Sequence, residues 1–145
     1  MKTPLLLILF FLSVGYCIAQ PTVHTDLRTK NWNTIGLRYE KQVKPLVWQT
    51  VFPAALWAMN NQVIELPGYI IPTKVGNTFS GFMLSIVPLE SCPFCGSGDI
   101  PSMIEVKMKH PIEWTDKPVK IRGKLLINDS GDDRSEFFLL NAVQI

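Results

Sequence analysis

The chain has 145 residues, with 14 Lys and Arg against 12 Asp and Glu and a formal net charge of +2. That length allows one domain with a real core and is too short for two ordinary ones. A balance so close to neutral gives no sign of nucleic acid or of an anionic membrane as partner.

In chain order, the first segment reads as an export signal. Met1-Lys2 supplies a short positive start, Leu5 to Leu12 is unbroken apolar sequence, and Cys17-Ile18-Ala19 offers small residues where a signal peptidase inspects the chain. Residues 1–19 are therefore expected to be a signal peptide, cleaved after Ala19, with the mature protein periplasmic or secreted. No segment approaches the roughly 20 apolar residues that a spanning helix needs. Lipid attachment at Cys17 is the alternative, disfavoured by the bulky Tyr16 before it.

Residues 20–31 are polar and aperiodic and read as a loose lead into a single domain over 32–145. Ile35, Leu37, Tyr39 and Val43 suggest a half-buried strand. Pro53 to Asn60 is the one helical candidate, with Pro53 in the first turn and Ala54, Ala55, Leu56, Ala58 and Met59 as helix formers. Val63 to Ile71 is a strand interrupted by Pro67-Gly68, which implies an edge or a bulge. Alternation continues through Phe82, Leu84 and Ile86, through Ile104, Val106 and Met108, and most clearly through Val119, Ile121, Gly123, Leu125 and Ile127. A turn-rich stretch from Asn128 to Asp133 leads into a final apolar strand, Phe137 to Ile145. The expected fold is mainly β: a small OB-like β-barrel of about six strands with one short helix, and a β-sandwich as the alternative.

Of the three cysteines, two stand outside the leader, in Cys92-Pro93-Phe94-Cys95-Gly96. A two-residue spacer lets both thiolates face one soft ion, zinc above all, at about 2.3 Å. Glu90, Asp99 and His110 are the candidate further ligands, with Glu105 and His24 weaker ones. The same pair can close a small disulfide, which an oxidising compartment permits, or act as an exchange couple. The tetrapeptide looks like that of glutaredoxins, but Gly96, Gly98 and Pro101 exclude the helix on which that active site is built.

A family likeness reaches these residues. Leu66-Pro67-Gly68-Tyr69-Ile70-Ile71-Pro72, then Phe82-Met83-Leu84-Ser85, the cysteine segment, Pro101-Ser102-Met103-Ile104-Glu105-Val106 and Val119-Lys120-Ile121-Arg122-Gly123 follow in that order. Together they resemble a bacterial family of small exported or lipid-anchored domains of unknown function, some linked to transport and zinc homeostasis. The likeness covers Val63 to Ile127 and implies an OB-like barrel. In the family pattern a histidine follows the cysteine by two residues and a proline run comes next. Here Cys92 matches the cysteine, Phe94 takes the histidine's place and Cys95 follows.

The basic residues Lys107, Lys109, Lys117, Lys120, Arg122 and Lys124 alternate with core positions and read as a solvated face, not a nucleic-acid site. Asp129, Asp132 and Asp133 lack calcium-loop spacing. The apolar stretch from Leu46 to Trp57 is read as core or barrel cap, or else as a dock for a membrane-associated protein. No nucleophile triad or phosphate loop stands out, which leans against an enzyme. The functional expectation is an exported accessory protein that binds zinc or another soft divalent metal through Cys92 and Cys95. The alternatives are an exported thiol-disulfide oxidoreductase and a scaffold module with a structural disulfide.

Overall fold

The computed structural model describes residues 27–88 and 102–145. In chain order the elements are α1 (Lys30–Ile35), β1 (Tyr39–Lys44), β2 (Val47–Val51), α2 (Ala54–Trp57), β3 (Val63–Ile71), β4 (Thr78–Ser85), β5 (Met103–Glu113), β6 (Val119–Ile127) and β7 (Phe137–Gln144). The last five strands close into a barrel in the order β3-β4-β5-β7-β6, with β6 returning to β3. All neighbours are antiparallel except β5 and β7, which run parallel. This is a mainly β molecule built on a small OB-like barrel. The sandwich alternative falls because β3 pairs with both β4 and β6, so a single ladder runs all the way round.

Alternation explains why these segments pair. On β6, Val119, Ile121, Leu125 and Ile127 point inward while Lys120, Arg122 and Lys124 stay in solvent. Ile64, Leu66, Ile70, Phe82, Leu84, Ile104, Val106, Phe137 and Leu139 fill the same core. Each large side chain buried there contributes about 1.5–3 kcal/mol.

The Pro67-Gly68 pair lies on a stretch of β3 with no strand on one side, as an edge position requires, and it marks a corner, not a bulge. Residues Val63 to Gly68 pair with β6, and Tyr69 to Ile71 pair with β4. At the hand-over, a Cβ on Gly68 would lie 2.6 Å from Leu84 Cγ and 2.9 Å from the Ser85 carbonyl oxygen. Only glycine lets the two strands come that close. On the stretch of β3 that β4 does not pair with, α1 takes over. Asn31 Nδ2 donates to the Glu65 carbonyl at 3.0 Å, and Trp32 Nε1 donates to the Pro67 carbonyl at 2.7 Å.

Among the described residues two helices are present, and one was expected there. Thr29 caps α1 by accepting from the Trp32 amide, and Trp32, Ile35 and Leu56 join the barrel core. Leu27 is also buried, so ordered packing starts ahead of residue 32. Ile35 ends α1, and the strand expected around it begins only at Tyr39. Pro53 stands at the N-cap of α2, one position before the expected first turn. β1 and β2 form a separate two-stranded hairpin, and every residue of β1 is exposed.

Candidate functional site

Cys92, Cys95, Glu90 and Asp99 lie outside the described residues, as do Cys17 and His24. The described strands nevertheless define the root of the segment that carries the cysteine pair. It leaves the barrel after Pro88 and returns at Ser102. Below it, Ser85 pairs with Met103, and the Ile86 amide donates to the Ser102 carbonyl at 3.4 Å. Ser85 is fully buried, and its hydroxyl accepts from the Val87 amide at 3.2 Å. The connection thus starts and ends on one closed rung of the β4–β5 ladder.

His110 is exposed on β5, seven residues beyond Met103. At about 3.3 Å per residue that is roughly 20 Å along the strand. It also falls where β5 bulges, since Gly81 and Phe79 of β4 face Lys107 and Ile112 respectively. His110 therefore stands toward the opposite end of the β4–β5 pair from the Ser85–Met103 rung. Glu105 is nearer the root but engaged, in an ion pair with Lys107 and accepting from Ser135 Oγ at 2.8 Å. Lys107, opposed in part by burial and helped by Ser135, holds the Glu105 carboxyl below its ordinary range. Among the described residues no three His, Cys, Asp or Glu side chains gather in a way that would hold a metal ion.

Two other charge groups are mutually satisfied. Glu65 accepts from Arg122 Nε at 2.9 Å and Nη2 at 2.7 Å and pairs with Lys120 at 2.8 Å. This is the solvated strand face expected from the alternation. In the β6–β7 connection, Asp132 takes hydrogen bonds from Arg134 and Asn128. With Arg134 as the largest cause, these hold its carboxyl well below the usual carboxylate range. The connection is a self-bonded polar turn.

A cleft of about 690 Å³ separates that turn from the hairpin and is lined by Glu40, Trp48, Thr50, Trp57, Asp129 and Arg134 among others. At its base Thr50 Oγ lies 2.9 Å from both Glu40 Oε1 and Glu136 Oε1, so its single proton serves one carboxylate at a time. Arg38 pairs with Glu136 at 3.0 Å, and Phe52 meets Trp57 and Phe137 edge-on at 6.0 and 5.8 Å. The apolar stretch expected to be core or cap therefore divides. Leu56 is fully buried, whereas Leu46, Val47, Trp48 and Trp57 are exposed. A Lys44–Val47 rung closed by Pro45-Leu46 was the sequence signal for this hairpin.

The fold and its fixtures define a class: a closed five-stranded OB-like barrel with an N-terminal helical plug, a projecting hairpin and a long β4–β5 connection. No family model, curated protein or solved structure matches the chain. Among the described residues no helix is long and apolar enough to cross a membrane.

Proposed function

We propose that the protein is an exported accessory domain that captures zinc, or a similarly soft divalent ion, through the thiolates of Cys92 and Cys95. The observation that carries this reading is the pairing of two cysteines at a two-residue spacing within one connection whose two ends are fixed by Ser85, Ile86, Ser102 and Met103. The export signal at residues 1–19 supports delivery outside the cytoplasm. Two sulfurs cannot complete a tetrahedral site, and zinc accepts carboxylate oxygen alongside thiolate. Glu90 and Asp99 share the cysteines' connection and are the preferred partners, while His110 is set apart by the length of β5. Such a site, finished by water or by a recipient's ligand, suits reversible carriage better than permanent structural zinc, which is closed by four protein ligands.

The test is metal content of protein purified under reducing conditions. The expected result is about one zinc per chain, lost in Cys92→Ser/Cys95→Ser with the barrel's far-UV circular dichroism unchanged. No zinc above background in the unmodified protein overturns the reading. Turnover of disulfide substrates by metal-free protein would instead favour the oxidoreductase.

A further inference from the structure

The hairpin is spent on something other than the barrel core. β1 and β2 pair with each other and with no barrel strand. An isolated two-stranded hairpin is at best marginal in water. Its anchoring contacts, Arg38–Glu136, Thr50–Glu136 and Phe52–Phe137, all lie at its root. The tip is apolar and uncovered: Leu46 is 93% exposed, Trp48 is 60% exposed, and Val43 and Val47 are about half exposed.

Leu46 also has φ 62°, in the left-handed region, directly after Pro45. That is the order of a type II turn, whose second central position normally belongs to glycine or asparagine. A branched apolar side chain there strains the backbone in order to project outward, and strain of this kind points to function. Charge is graded along the hairpin. Glu40 sits at the root on Thr50, whereas residues 41–52 hold Lys41 and Lys44 and no acid. Among the described residues neither lysine is in an ion pair, and the Trp48 indole N–H has no hydrogen-bond partner. Lys41, Val43 and Trp48 also border the cleft, while Leu46 and Val47 stand beyond it, and the two lysines with no acid among residues 41–52 complement an anionic lipid surface.

We propose that the β1–β2 hairpin is a membrane-contacting finger. Leu46, Val43 and Val47 enter the boundary between headgroups and acyl chains of an anionic bilayer. Trp48 lies at the interface, where its ring is buried and its N–H stays wet. Lys41 and Lys44 meet the lipid phosphates. The proposal is independent of the cysteine pair.

The test is co-sedimentation of the purified protein with vesicles of phosphatidylcholine and phosphatidylglycerol, roughly three to one, chosen for a negative surface. The shift in Trp48 emission is followed in a Trp57→Phe/Trp114→Phe background, where the buried Trp32 remains as a constant contribution. The expected results are salt-sensitive binding with a blue-shifted emission and a drop of about tenfold or more in partitioning for Leu46→Asp. Lys41→Glu/Lys44→Glu weakens binding to the anionic vesicles, and Cys92→Ser/Cys95→Ser leaves it unchanged. Each variant differs from the parent only at the named positions, so any contribution of the leader cancels. Leu46→Asn, which relieves the backbone, serves as the folded control that also loses binding. Failure of the parent protein to sediment, or equal binding by Leu46→Asp, overturns the proposal. So does a dimer formed without vesicles and abolished by Leu46→Asp, since a second copy would then be the occupant.

Discussion

Gly68 and Gly123 carry the barrel's closest approaches. A Cβ on Gly123 would lie 2.7 Å from Leu139 Cγ and 3.1 Å from the Leu140 carbonyl oxygen, as tight a fit as Gly68 makes against Leu84. Gly68→Ala and Gly123→Ala should each cost about 1–3 kcal/mol of stability, read as a lower denaturation midpoint at constant slope. Unchanged midpoints would mean that the strands do not pack this closely. Leu46 is the opposite case, a residue whose own conformation opposes the fold. Relief of its left-handed strain in Leu46→Asn should stabilise the hairpin by about 1 kcal/mol, seen as slower amide exchange from Tyr39 to Val51. Glu105 contributes, with Glu65 and Asp132, to the pH dependence. Its folded carboxyl is held down by Lys107, so its contribution is complete above the unfolded carboxylate range and is lost as pH falls through the lower folded value. Glu105→Gln should flatten that acid limb, and an identical acid limb would count against the ion pair.

Among the elements, α1 shows how a short segment positions a large structure. Its indole bond to the Pro67 carbonyl and its amide bond to the Glu65 carbonyl serve the stretch of β3 that β4 leaves unpaired. Trp32→Phe keeps most of the apolar volume and removes the 2.7 Å bond, and should cost about 1–2 kcal/mol. This helix escaped sequence reading because Lys30–Ile35 has only Trp32 and Ile35 as apolar signposts, too few to establish a period. β6 was legible because its two faces differ from Val119 to Leu125, with valine, isoleucine and leucine in and lysine and arginine out. β1 was misread because Tyr39 and Val43 imitate a buried face, although the strand packs on nothing. β7 carries an internal device that composition hides. Three of its residues span two of β5 and two of β6, with the extra one, Asn141, at φ 51°.

For the whole molecule, closure of five strands makes a single barrel that stands apart from the two-stranded hairpin and roots both ends of the β4–β5 connection. The barrel was legible because apolar alternation recurs between turn signals. The proposed site was legible only as a donor pair, because the two-residue spacing of Cys92 and Cys95 is read directly, whereas how far β5 carries His110 from the Ser85–Met103 rung is not. The net charge of +2 does not say where charge sits: the hairpin's one acid, Glu40, lies at its root, and Lys41 and Lys44 follow it toward the tip. The proposed function requires that sulfur from this one connection bind the ion, which X-ray absorption at the zinc edge on the reconstituted protein reads out. The predicted spectrum shows two sulfur scatterers at about 2.3 Å, with oxygen completing the shell and no imidazole signature from His110. A shell of oxygen and nitrogen alone, with Cys92 and Cys95 joined to each other in the metal-loaded protein, would contradict it.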